Sequence, residues 1–170
     1  VYAFLFIMKN PLIIDFYDLT VTQLMNDHLW DIPIIEKNED IINILNILSA
    51  RHHIWVINTK KKKELIGVIT EHDMLATLSP KNFSPYVFGV PDIRSLQYGT
   101  VKTAEDLMST KVITCEPDEK VIDILKRMKK FQLRRLPVVK NKKLIGEITL
   151  HRLIQKYYKA TQYHSLNEEG

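Results

Sequence analysis

The run Leu65-Ile66-Gly67-Val68-Ile69-Thr70-Glu71-His72-Asp73 returns later in the chain as Leu144-Ile145-Gly146-Glu147-Ile148-Thr149-Leu150-His151-Arg152. What precedes each run matches too: a Leu-Met pair (Leu24-Met25, Leu107-Met108), an extended stretch, an amphipathic segment and a hydrophobic strand. An internal repeat constrains a fold more tightly than a single motif does. Each copy must form the same supersecondary unit and bury its apolar face against a neighbour. Here it also implies two half-sites of common geometry whose final residues carry opposite charge, Asp73 against Arg152.

Periodicity gives the order of elements. In the second copy Val112 to Cys115 reads as a strand, and Glu116-Pro117-Asp118-Glu119 opens a helix with Val121, Ile124, Leu125, Met128 and Phe131 on one face. Leu136 to Val139 and Leu144 to Ile148 pair as a hairpin across a polar turn, Lys140 to Lys143. A last helix runs from Thr149 through Leu153, Ile154 and Tyr157. The first copy follows suit: strand Ile32 to Ile35, a helix with Ile41, Ile44, Leu45 and Leu48, strand Ile54 to Ile57, turn Asn58 to Glu64, strand Leu65 to Ile69 and a helix from Thr70. Each β-α-β-β-α copy has about 55 to 60 residues, where a lone core is marginal, so the copies are expected to pack sheet to sheet. The predicted fold is α+β and sandwich-like, with pseudo-two-fold symmetry. The expected segments are an N-terminal extension (1–18), repeat 1 (19–78), a linker rich in Pro and Gly (79–100), repeat 2 (101–158) and a frayed tail (159–170).

With 45% hydrophobic residues among 170, the chain suffices for a compact fold. The balance of 24 basic to 20 acidic residues, net +4, permits anionic ligands without demanding nucleic acid. One cysteine, Cys115, excludes an intramolecular disulfide and reads as a structural thiol in a reducing, cytoplasmic setting. Val1 to Met8 is apolar but too short to span a bilayer and lacks signal-peptide features, so no membrane association is expected. Met8-Lys9-Asn10 reads as a start, making residues 1–7 an upstream extension; the alternative is an element that buries its apolar face in an oligomer contact. The histidines His28, His52, His53, His72, His151 and His164 show no metal-ligand spacing, and no nucleotide-loop or nucleophile-elbow motif occurs.

Two such repeats, each closing with Gly-x-Ile-Thr after a strand of the Leu136-Pro137-Val138-Val139 type, resemble a tandem pair of CBS domains, the Bateman module. The resemblance covers residues 20–157, with the first repeat the more divergent because His53-Ile54-Trp55-Val56-Ile57 replaces the Arg-Leu-Pro-Val-Val phrase. It implies a non-catalytic regulatory protein that binds AMP, ADP, ATP or S-adenosylmethionine in clefts between the repeats, pairs as a homodimer, and reports to a client protein that the chain does not name. It also implies that the Asp of Thr-x-x-Asp accepts hydrogen bonds from both ribose hydroxyls. Carried over, the ligand site combines Thr70, His72 and Asp73 with Lys111, Val112, Leu133, Arg134 and Arg135. Elementary chemistry agrees: a carboxylate is an acceptor-only group suited to a cis-diol, and arginine forks match phosphate. The second site would combine Thr149, His151 and Arg152 with Ile34, Ile35, His52 and His53. It is degenerate, because Arg152 accepts no hydrogen bond; Arg152 could instead recruit a phosphate.

Other readings compete. Thr70-x-x-Asp73 also satisfies a helix-capping pattern that needs no ligand. A scaffold with vestigial clefts is one alternative. Nucleic-acid binding through Lys60 to Lys63, Lys142 and Lys143 is another, although lysines at a hairpin tip are ordinarily a solvated turn.

Overall fold

The computed structural model describes residues 11–78 and 102–165. These form two compact units, one built from the chain up to Leu29 together with Ile113 onward, the other from Trp30–Val112.

In the Trp30–Val112 unit, β1 (Ile34–Glu36) runs parallel to β2 (His53–Ile57), which pairs antiparallel with β3 (Leu65–Thr70). The crossover from β1 to β2 is α3 (Ile41–Leu48), since parallel neighbours require a connection that crosses the sheet. Asp40 starts it: Oδ1 accepts from the Ile42 and Asn43 backbone N–H groups at 2.8 and 3.1 Å. Every residue of β2 is buried, as befits the central strand of its sheet. Ile35, Ile44, Ile54, Val56, Ile69, Met74 and Ala104 form the core. The Lys60–Lys63 tip is exposed. After β3 the chain makes a 3-10 turn (Glu71–Met74) and α4 (Leu75–Leu78).

The other unit contains α1 (Pro11–Asp18), α2 (Val21–Leu24), α6 (Val121–Phe131), the antiparallel hairpin β4 (Arg135–Lys140) and β5 (Lys143–Thr149), and α7 (Leu150–Ser165). Asn141 and Lys142 both take positive φ at the hairpin tip, the backbone that a tight two-residue turn requires. Phe16 of α1 is buried against Tyr157 of α7, ring centroids 5.3 Å apart and edge to face. Phe16, Val21, Cys115, Ile124, Leu136, Ile148 and Leu153 lie in its core.

The repeat extends further than its sequence match. Before each Leu-Met pair stands a capped turn. Thr20 N donates to Gln23 Oε1 at 2.9 Å; Thr103 N, ahead of α5 (Ala104–Leu107), donates to Asp106 Oδ2 at the same distance. Each turn then bridges the strand that carries the repeat's glycine. Asn26 exchanges backbone bonds with Glu147 at 2.8 and 3.0 Å, and Ser109 does so with Val68 at 2.9 and 3.0 Å. The segment ahead of the first repeat thus lies in the unit of the second repeat's sheet, and the segment ahead of the second lies with the first. Glycine is required where they cross. A Cβ on Gly146 would meet Asn26 O at 2.5 Å, and one on Gly67 would meet Met108 Sδ at 2.5 Å.

Some expected elements differ. Val112 to Cys115 contributes only an isolated parallel bridge, Cys115 to Val138, while the Thr114 carbonyl accepts from Arg127 Nη1 at 2.7 Å. The following helix begins at Val121 rather than near Glu116, where Glu119 Oε1 accepts from Glu116 N at 2.7 Å and closes a turn first. The last helix continues through Ser165, beyond the expected fraying point. Residues 1–10, the whole of the expected linker (79–100) with Val101, and the end of the tail (166–170) lie outside the described residues.

Candidate functional site

The Thr70–Asp73 turn is held by one carboxylate oxygen. The Thr70 backbone N–H and Oγ1–H both donate to Asp73 Oδ2, at 2.6 and 2.8 Å. Asp73 Oδ1 has no hydrogen-bond partner among the described residues, and the side chain is half-buried. A carboxylate offers about four lone-pair sites, so Asp73 keeps acceptor capacity beyond the cap. His72 beside it is exposed.

Strand register decides what surrounds this turn. Thr70 pairs with His53 in the β2–β3 ladder. His53 is buried with its ring edge-on to Trp55, centroids 4.9 Å apart, while exposed His52 Nδ1 lies 3.1 Å from Glu71 Oε1. On the other side of β2, Ile34 pairs with Trp55 and Ile35 with Val56. Lys111 is exposed and Val112 half-buried, just beyond the Ser109 bridge to β3.

The second repeat repeats this frame with different chemistry. Thr149 pairs with Arg135, and Leu150 N donates to Arg134 O at 2.8 Å. Here the threonine itself does the capping: Thr149 Oγ1 accepts from the Arg152 backbone N–H at 3.3 Å. Arg134, His151 and Arg152 are exposed, and Leu133 is half-buried at the end of α6, its N–H donating to Met128 O at 2.9 Å.

Each unit therefore brings a threonine helix start together with strand residues of its own repeat, and the Trp30–Val112 unit adds Lys111 and Val112 from the second repeat. Thr70, His72 and Asp73 share a unit with Ile34, Ile35, His52, His53, Lys111 and Val112. Thr149, His151 and Arg152 share the other with Leu133, Arg134 and Arg135. Two participants escaped the sequence reading: Glu71 as the partner of His52, and Asp106, which caps Thr103 as Asp73 caps Thr70. The recurrence of Thr-x-x-Asp at Thr103 was the available signal for the second. Among the described residues no group of three His, Cys, Asp or Glu side chains could hold a metal ion, and no helix is long and apolar enough to cross a membrane.

Comparison with known proteins adds the family. A model of the CBS domain matches residues 21–80 and 104–159. An uncharacterized protein of Methanopyrus kandleri is 34% identical over 101 residues, covering 59% of this chain and 44% of the relative. YlbB of Bacillus subtilis is 31% identical over 86 residues, covering 51% and 48%. The chain thus spans less than half the length of these relatives. Among solved structures, CBSX2 in complex with AMP aligns with a TM-score of 0.66 at 21% identity, over 84% of this chain and 98% of that one. A CBS-domain pair in complex with 5′-methylthioadenosine and S-adenosylmethionine aligns with a TM-score of 0.59 at 21% identity, over 83% and 97%. At such identities the likeness is one of fold.

Proposed function

Because the chain belongs to the CBS-domain family, we propose that it is a non-catalytic regulatory module that binds an adenosine-containing ligand, AMP, ADP, ATP or S-adenosylmethionine, with the ribose at Asp73. The observation that carries this is the division of labour within one carboxylate: Oδ2 holds the turn, while Oδ1 is without a hydrogen-bond partner among the described residues. A cis-diol needs such an acceptor. The ligands named for CBSX2 and for the CBS-domain pair support the ligand class, since AMP, 5′-methylthioadenosine and S-adenosylmethionine share the ribose with its vicinal hydroxyls. His72, Lys111, Val112, Leu133, Arg134 and Arg135 belong to the proposed ligand-binding set. The half-site of Ile34, Ile35, His52, His53, Thr149, His151 and Arg152 is degenerate toward ribose, because arginine has no acceptor to offer.

A second reading has its own observation. Asp106 makes the same pair of bonds to Thr103, at 2.9 and 3.1 Å, as part of an ordinary capped turn, so capping alone accounts for an acid at this position. On that reading the protein is an assembly scaffold. The Asp106 turn also supplies the control. Calorimetric titration with AMP, ATP and S-adenosylmethionine is expected to show one site per chain that Asp73→Ala abolishes and Asp106→Ala preserves. Equal losses would favour the scaffold.

A further inference from the structure

Among the described residues the buried polar or charged ones are His53, 4% exposed, and Glu147, 8% exposed. Glu147 is the acid of the two, and the strand ladder fixes where it stands. From Gly146 onward β5 alternates regularly against β4. Gly146 opposite Val138 and Ile148 opposite Leu136 lie on the face that forms the core, whereas Glu147 opposite Pro137 and Thr149 opposite Arg135 lie on the other face. Glu147 and Arg135 are thus diagonal neighbours on one face, a separation of about 7 to 8 Å along the backbone that long side chains span.

The first repeat has the same face with different residues. Thr70 is opposite His53 and Val68 opposite Trp55, so Val68 stands where Glu147 does and His53 where Arg135 does. The acid and the guanidinium therefore enter the second repeat together. The backbone does not require an acid there, because Val68 makes the same pair of bonds to Ser109 that Glu147 makes to Asn26. A carboxylate taken out of water is strongly unfavourable unless a cation compensates it. Arg135 belongs to the ligand-binding set proposed above, where its fork suits phosphate. A phosphate can use Arg135 only by coming beside the buried carboxylate, whose repulsion water screens little, and by drawing away the guanidinium that compensates it. Lys111 and Arg134 are exposed, so water weakens whatever they offer in exchange.

We propose that Glu147 is a specificity-determining residue of the ligand site: acting through Arg135, it disfavours nucleoside polyphosphates and selects adenosyl ligands whose 5′ substituent carries no net negative charge, the class of 5′-methylthioadenosine and S-adenosylmethionine. The inference rests on the adenosine-site reading and narrows it.

The test is calorimetric titration of the full chain with adenosine, 5′-methylthioadenosine, S-adenosylmethionine and ATP, with thermal melting of each ligand-free variant. Wild type is expected to bind 5′-methylthioadenosine or S-adenosylmethionine about tenfold more tightly than ATP. Glu147→Gln keeps the shape and removes the charge; it should strengthen ATP binding about tenfold, the scale of one charge-assisted hydrogen bond, and leave adenosine unchanged. Glu147→Val, which installs the residue that the first repeat carries at that place, should do the same and melt as a folded protein. The gain should vanish in Glu147→Gln/Arg135→Gln, as it must if the acid acts through the arginine. The inference is overturned, with the adenosine site intact, if wild type prefers ATP, or if Glu147→Gln changes ATP and adenosine binding alike, as a purely structural role would. No binding of any of the four ligands by wild type would overturn the adenosine-site reading itself, and this inference with it.

Discussion

Cys115 shows how a residue's surroundings settle its chemistry. It is 1% exposed, and burial pushes its thiol up to about 12, with Glu119 adding to the effect and Arg127 opposing it. A thiol reagent at neutral pH is therefore expected to leave the native protein unmodified and to label it on unfolding; rapid native labelling would contradict the packing. Glu119 illustrates the opposite outcome. Burial pushes its carboxyl up, but hydrogen bonds from Arg127 and from the Glu116 N–H outweigh that and hold it below the ordinary value. A depressed carboxylate stabilises the fold above its unfolded pKa and loses that contribution as pH falls through the folded one. Glu119→Gln should thus flatten the acid side of the stability profile below about pH 5. It should also cost roughly 1.5 kcal/mol at neutral pH, at the lower end for a charged hydrogen bond because the pair is partly solvated. Urea melts across pH would read both, and an unchanged acid limb would remove Glu119 from the account. Asp73 caps its turn, as local sequence predicts; the ribose role proposed for it comes from the family resemblance and not from the turn. The Thr-x-x-Asp spacing reads equally as a cap and as a ribose acceptor, and Asp106 uses Oδ2 alone in its cap just as Asp73 does, so binding measurements on the two acids separate the readings.

At the scale of elements, the hairpins, their crossover helices and the terminal helix follow from alternation and helical spacing, and the structure reproduces them with small changes of boundary. What did not follow was anything set by contacts distant in sequence. Val112 to Cys115 looks like strand, yet it makes a single bridge to β4, and the Thr114 carbonyl is bound instead by Arg127 thirteen residues on. Neither the α1 helix nor the packing of Phe16 against Tyr157 has a local signature, because its partner is at the far end of the chain. The glycines of the repeated Ile-Gly phrase are legible as conserved spacing between the copies, but their reason is the strand crossing over them. At Gly146 the obstacle is backbone, Asn26 O, which cannot move aside as a side chain can. Gly146→Ala should cost about 2 to 3 kcal/mol, within the range of overpacking. Gly67→Ala should destabilise as well, because the added Cβ meets Met108 not only at Sδ but at its Cβ, 2.9 Å away, which is fixed to the backbone. A wild-type urea midpoint in either variant would show that the crossing gives way.

For the whole molecule, the repeat is legible at once, but the composition of the compact units is not. Aligning the copies suggests consecutive domains, whereas the segment Thr20–Asn26 completes the unit containing β4 and β5, and Thr103–Ser109 completes the one containing β1 to β3. A fragment of residues 30–112 is consequently expected to melt cooperatively, while one of residues 30–78, lacking the Ala104 contribution to the core, should not. One unit also holds an internal control for the central claim, since Asp73 and Asp106 cap turns of the same kind and only the first is assigned a ligand. Calorimetric titration of wild type, Asp73→Ala and Asp106→Ala with AMP, ATP and S-adenosylmethionine tests this directly. The account predicts saturable binding of at least one of the three, lost in Asp73→Ala and retained in Asp106→Ala. Binding that survives Asp73→Ala, or no binding of any of the three by the wild-type chain, would contradict it.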